Sequence, residues 1–207
     1  MNFIINENKK NTQLIMNQFV LLHNQNAQMQ KKMDQMNKNI ANLNINNINN
    51  QEIRYNDGRR YVGQVVNGLR EGKGIMYWNE GDRYEGEWRN DNMEGKGIYY
   101  FGREPFRGDR YEGDFRNGKS EGKGIYYYNS GSRYEGDFRN DKAEGQGIYY
   151  YNNGDRYEGD FRNWKKDGKG IYYWNNGDRE MGDYHDDKPI GKHVTLTKNG
   201  EVKINNY

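Results

Sequence analysis

Residues 134–179 read YEGDFRNDKAEGQGIYYYNNGDR and then YEGDFRNWKKDGKGIYYWNNGDR, two nearly identical units of 23 residues each. Outward from this pair the unit recurs. Copies begin at Tyr61, Tyr84, Tyr111, Tyr134 and Tyr157, and a degenerate sixth begins at Glu180, where the tyrosine is lost but Met181 and Gly182 keep register. The Tyr84 unit is longer by four because FGREPFRGD, residues 101–109, replaces the usual turn. Residues 53–60, IRYNDGRR, form the second half of a unit whose first half is missing. All but three of the 27 glycines fall into four columns of this repeat. A fixed period of roughly 20–50 residues marks one supersecondary unit copied and stacked, so each copy is a structural module and not a separate active site.

Numbered from the tyrosine, positions 1–6 alternate in YEGDFR, and positions 14–18 in GIYYY carry aromatic and β-branched residues between glycine-rich turns. Both read as short strands. Asn67-Gly68 and Asn117-Gly118 are hairpin turn pairs, other units use Asn-Asp there, and NNGD or a relative closes each unit, so every link is short and antiparallel. The expectation is an all-β repeat: an elongated, single-layer, twisted antiparallel β-meander of roughly 12 strands. The pleat places Tyr134, Gly136 and Phe138 on one face with Gly147, Tyr149 and Tyr151, forming an aromatic core over glycine. The opposite face carries Ile75, Ile98, Ile125, Ile148 and Ile171 beside Tyr77, Tyr100, Tyr127, Tyr150 and Tyr173. This row reads either as a candidate partner-docking face or as good strand formers screened by Arg stems.

The chain has 207 residues, 32% hydrophobic and 30% charged, and its mean hydropathy is −1.37. That is too polar for a thick core, yet 14% aromatics with 19 tyrosines argue against disorder, so aromatic faces are expected to be buried locally in a thin structure. Residues 51–207 carry 27 Lys and Arg against 28 Asp and Glu, which gives no electrostatic footprint for nucleic acid and only a weak one for anionic lipid. Cysteine is absent, which removes disulfides and thiolate chemistry. There is no apolar run of the roughly 18 residues that would span a bilayer, no signal-peptide h-region and no arginine-rich transit segment, so a cytoplasmic location is expected.

The pattern YEGDFRNxKxEGKGIYYYNxGDRYEG resembles MORN repeats, the "membrane occupation and recognition nexus" motif, over about residues 53–200. The resemblance implies an elongated single-layer sheet with an aromatic groove. It also implies relatives among radial-spoke head proteins of cilia, protist cytoskeletal scaffolds, membrane-tethering junctional proteins and accessory regions of enzymes. The sixth unit departs from the pattern, with Glu180 for tyrosine, His193 for the third glycine and Pro189 in its turn, so 180–207 reads as a degenerate repeat and cap. The array proper is 51–179.

Residues 1–50 contain no glycine and are rich in Asn and Gln. Within them Ile15, Phe19, Leu22, Asn26, Met29, Met33, Met36, Ile40 and Leu43 fall at alternating spacings of four and three, a heptad seam. Asn11 or Thr12 would cap an amphipathic helix over about 12–44, with 42–50 as linker. The seam offers a route to a homo-oligomer or a partner groove, and a polar tail with accidental periodicity is the alternative.

Gly113–Ser120 satisfies GxxxxGKS, but a phosphate loop needs a helix after it, and here another strand follows. Asp183, His185, Asp186, Asp187 and His193 have metal-ligand residue types without a closed set, and a solvated cap explains them more simply. The carboxylates at the second and fourth positions of each unit, such as Glu112 and Asp114, read as cross-strand ion pairs. No nucleophile–base pair stands out; catalytic, cofactor and metal residues are all expected to be absent. The sequence therefore points to a non-enzymatic structural or adaptor protein working with other proteins, in a ciliary (axonemal, radial-spoke-like) or other cytoskeletal assembly. A tether binding phosphoinositide headgroups and an accessory subunit recruiting an enzyme are the alternatives.

Overall fold

The computed structural model describes Gln25, 28–36 and 50–207. The chain divides into two units, Met1–Asn49 and Asn50–Tyr207. In the first, residues 28–36 are α-helical, and Gln30 Nε2 donates to Asp34 Oδ1 at 3.0 Å. Met29, Met33 and Met36 are exposed on this helix. The remaining seam positions, Ile15, Phe19, Leu22, Asn26, Ile40 and Leu43, lie outside the described residues.

The second unit is one open, twisted sheet of 14 antiparallel strands paired in chain order. The first strands of the repeats are β2 (Arg60–Val66), β4 (Arg83–Arg89), β6 (Arg110–Arg116), β8 (Arg133–Arg139), β10 (Arg156–Arg162) and β12 (Arg179–His185). The second strands are β3 (Leu69–Tyr77), β5 (Asn92–Tyr100), β7 (Lys119–Tyr127), β9 (Lys142–Tyr150), β11 (Lys165–Tyr173) and β13 (Lys188–Leu196). Two strands exceed the expected dozen: β1 (Asn50–Arg54) contains the start of the half-unit, and β14 (Val202–Asn206) opens a seventh. Pro189 lies in β13, opposite Tyr184, and not in the turn.

Each first turn holds two residues with φ between 47° and 82°, the type I′ geometry that matches strand twist. Asn, Asp and Gly tolerate that conformation; Trp164, at φ 69°, is the exception. In the second turns Gly154 N–H donates to Tyr151 O at 3.1 Å and Gly154 takes φ 91°, a tight turn ending in a left-handed glycine. Between the strands of a unit the register slips after the paired glycines, as from Gly136↔Gly147 to Phe138↔Ala143. Gly145, at φ 75°, sits in that bulge.

The core is a single layer of rings. Tyr61, Tyr84, Tyr111, Tyr134 and Tyr157 are fully buried. Each lies flat over the glycines of its own hairpin; a Cβ on Gly136 or Gly147 would come within 2.5 Å of Tyr134. The tyrosine hydroxyl donates to the carbonyl three residues on, as Tyr134 does to Asp137 O at 3.1 Å. Phenylalanines then bridge the copies edge-to-face: Phe138 stands 4.7 Å from Tyr111 and 5.3 Å from Tyr134, and Phe161 stands 4.8 Å from Tyr134 and 5.2 Å from Tyr157. Such pairs contribute about 0.5–1.5 kcal/mol each beyond area burial, which is how so polar a chain holds a sheet without a second layer.

Candidate interaction surfaces

On the face opposite the ring core, Ile75, Ile98, Ile125, Ile148 and Ile171 are half-buried in an open row. The tyrosines beside them are occupied. Arg60, Arg83, Arg110, Arg133 and Arg156 lie over the rings of Tyr77, Tyr100, Tyr127, Tyr150 and Tyr173 at 3.8–4.1 Å. The repeat's carboxylates divide their work. The glutamates meet arginines of their own strand, as Glu85 meets Arg83 at 3.2 Å, while the aspartates pair across strands, as Asp114 pairs with Lys96 at 2.6 Å. A shallow trough runs over Ile98, Ile125 and Ile148, edged by Lys96, Lys123 and Glu135. Alternating signs leave it without a net field.

The ring face differs from unit to unit where the turns differ. Over the third unit it opens into an apolar cavity of about 540 Å³, walled by Met93, Phe101 and Phe106 of the second unit, Tyr126 and Tyr128 of the third and Trp164 of the fifth. Three local departures from the repeat create it. The longer turn at 101–109 carries Phe106 out on a loop fastened by Phe106 N–H to Arg103 O at 3.0 Å, leaving its ring half exposed. Gly118 puts no side chain where the neighbouring units have Asp91 and Asp141, and Ser120 stands where the second unit has Met93. Trp164 folds back from the fifth unit, 5.1 Å from Tyr126 and 5.6 Å from Phe138, with Nε1 donating to Asp141 O at 3.2 Å.

Buried aspartates tie copies together at three junctions, and Ser132 takes that place between the third and fourth units. Asp82, Asp109 and Asp155 accept the hydroxyls of Tyr99, Tyr126 and Tyr172 at 2.7–2.9 Å. Each also accepts a backbone N–H from the following turn, from Gly102, Asn129 and Asn175. Burial pushes the Asp155 carboxyl up, but the donors from Asn175, Asn153 and Tyr172 outweigh it and hold the group below its ordinary value. Burial pushes Tyr61 up to about 12.

A second set of aspartates sits in alternate first turns. Asp91, Asp141 and Asp187 accept the backbone N–H groups of Arg70, Ser120 and Lys166 at 2.7–2.9 Å. In the units between, Gly118 and Trp164 stand opposite the apolar Met93 and Ala143. The ring face thus alternates polar and apolar crossings every two units. The signal was present in the sequence, since both columns vary together, but it requires knowing that position 10 of one unit meets the turn of the next.

The chemistry rejected on spacing has a structural counterpart. Gly113–Ser120 runs from β6 through a tight turn into β7, and Ser120 N–H and Oγ donate to the Asp141 carboxylate where an anion would have to sit. Among the described residues no three His, Asp or Glu side chains converge to hold a metal. His185 Nδ1 bonds Asp167 at 3.0 Å, whereas His193 is buried with Nε2 2.8 Å from Asp183 O. His193 and Glu180 replace the usual glycine and tyrosine reciprocally: the imidazole fills the space the lost ring leaves, and Glu180 accepts from Asn205 and Tyr207 at 3.0 Å. No described helix is long and apolar enough to cross a membrane.

No curated protein matches the chain. Among solved structures, the G-box domain of the microcephaly protein CPAP is 12% identical with a TM-score of 0.31, over 76% of this chain and 99% of that one. The TCP10 domain of Danio rerio CPAP in complex with a STIL peptide is 15% identical with a TM-score of 0.28, over 74% and 82%. A streptogramin B lyase is 16% identical with a TM-score of 0.17, over 75% and 53%. Scores this low carry nothing about function. The repeats themselves do: the family model for the MORN repeat matches at 61–83, 84–103, 111–133, 134–156 and 157–179, more than half of the chain, and no catalytic family is indicated. Tyrosine over paired glycines, copied along one sheet, makes this chain a member of the MORN repeat family.

Proposed function

We propose that this chain is a non-enzymatic adaptor whose ribbon of repeats presents its ring face to protein partners within a cytoskeletal assembly. The observation that carries the reading is the apolar cavity under Phe106 and Trp164. A half-exposed phenylalanine on a lengthened turn and a tryptophan in a left-handed conformation that favours Asn, Asp or Gly stand at positions where the other units have neither. The ciliary, radial-spoke-like setting rests on family likeness alone. Residues 1–50, with the methionines of the 28–36 helix exposed, are proposed to add a helical contact, with a second copy or with the same assembly. The isoleucine row is proposed as a secondary surface, since arginines already occupy the rings beside it.

Placing a photo-crosslinking residue at Phe106 or at Tyr127 and irradiating native extract tests the assignment. Protein adducts from position 106 support it. Adducts from 127 alone would move the site to the isoleucine row. Salt-sensitive co-sedimentation with phosphoinositide vesicles and no protein adducts would replace it with the membrane reading.

A further inference from the structure

We propose that the ring face selects an extended protein segment with an apolar anchor and an acidic side chain a few residues away. The anchor seats between Phe101, Phe106 and Trp164, and the acid meets Lys166. This rests on the reading that the ring face receives the partner.

Lys166 is the unusual cation of that face. Its column holds Arg70, Met93, Ser120, Ala143 and Lys166 in successive units. Arg70 is matched, with Nε 2.9 Å from the Asp91 carboxylate. Lys166 Nζ instead lies among three rings, 5.5 Å from Tyr157, 5.5 Å from Tyr172 and 5.3 Å from Tyr184, with no carboxylate in ion-pair range among the described residues. Its neighbour Asp187 accepts the Lys166 backbone N–H at 2.9 Å. The lysines on either side are paired, Lys165 with Asp186 at 3.1 Å and Lys169 with Asp183 at 3.4 Å. An ammonium half-buried among rings, with Asp187 acting on it only from beyond ion-pair range, gains more from an incoming carboxylate in contact than a solvated lysine would. Burial lowers the pKa of Lys166, and the nearby Asp187 charge offsets only part of that.

The cavity also holds a carboxylate. Asp141 lines it on the side towards Lys166, already accepting from Ser120 N–H and Oγ, so the anchor position favours an uncharged side chain. Trp164 Nε1 donates to the Asp141 carbonyl and stands next to that carboxylate's turn. Ser120, which lines the cavity, and Lys166 are two units apart in one column, four strand spacings of about 4.8 Å, and the anchor lies about that far from Lys166. A segment rising about 3.3 Å per residue then places its acid roughly five to seven residues from the anchor.

Random peptides displayed on phage and selected against the immobilised full chain test this, with Lys166→Glu, Lys166→Gln, Trp164→Ala and Phe106→Ala as parallel baits, each checked for an intact thermal transition. The expected wild-type winners pair an apolar residue with an acidic one at that spacing. Phe106→Ala and Trp164→Ala should lose them, Lys166→Gln should lose the charge preference, and Lys166→Glu should turn it basic. Exchanging the acid for its amide in a winning peptide should weaken binding about ten-fold to wild type and little to Lys166→Gln. The same acidic winners on Lys166→Glu would overturn the proposal while leaving the ring-face reading in place. No enrichment sensitive to Phe106 or Trp164 would overturn both.

Discussion

Replacing Gly136 by alanine tests the packing that defines the repeat. A Cβ at 136 would lie 2.5 Å from Tyr134 Oη, 2.6 Å from Gly147 Cα and 2.7 Å from Gln146 O. Two of these atoms are backbone, so rotating one side chain cannot relieve the clash. Overpacking of this kind costs about 1–3 kcal/mol. Displacing the Tyr134 hydroxyl from Asp137 O, 3.1 Å away, costs roughly 1 kcal/mol more. The reduced freedom of the unfolded chain returns about 0.4–1 kcal/mol. The net expectation is a loss of about 1–3.5 kcal/mol, read as a lower urea midpoint and faster amide exchange centred on β8 and β9. The control is Gly118→Ala, where φ is 79° and the nearest atom is Met93 Cε at 4.0 Å, so only left-handed strain of about 1–2 kcal/mol applies. Equal effects at the two glycines, or a change below about 1 kcal/mol at 136, would refute the reasoning.

Asp109→Ala strands the Tyr126 hydroxyl and the Asn129 N–H, each 2.7 Å from the carboxylate, and should cost about 2–4 kcal/mol in urea unfolding. Lys166→Met replaces an unpaired cation with a thioether among the same three rings; it should stabilise by about 1 kcal/mol while weakening partner binding, and a destabilised variant would mean the ammonium is structural. Tyr61 has its pKa raised from 10.0 to about 12 by burial, so the stability of its neutral form is intact below pH 10 and lost as pH rises towards 12. Absorbance titration should accordingly show tyrosines that ionise only as circular dichroism is lost, whereas ordinary titration in a folded chain would contradict their burial.

Much of the sheet was legible because one pattern is written five times: the alternation of YEGDFR, the turn pairs and the glycine columns fix strands, faces and the aromatic core without a homologue. The candidate site was less legible for the opposite reason. It is made where copies differ, at Phe106, Gly118, Ser120, Trp164 and Lys166, and a reading built on what recurs treats such positions as variable turns. Trp164 in particular sits in a turn by sequence and over Tyr126 and Phe138 in space, because the chain doubles back every half-unit. The arginine caps on the isoleucine face were half visible: screening by Arg stems was one of the two readings of that row, but stacking over every tyrosine at 3.8–4.1 Å follows from the register, which places each arginine opposite the tyrosine of its partner strand.

The most direct measurement is a density map of the full chain inside its native assembly, resolved well enough to see which face is covered. The account predicts a protein segment crossing the ring face, an apolar side chain between Phe106 and Trp164 and a carboxylate beside Lys166. A partner on the isoleucine row with the ring face open to solvent would contradict it.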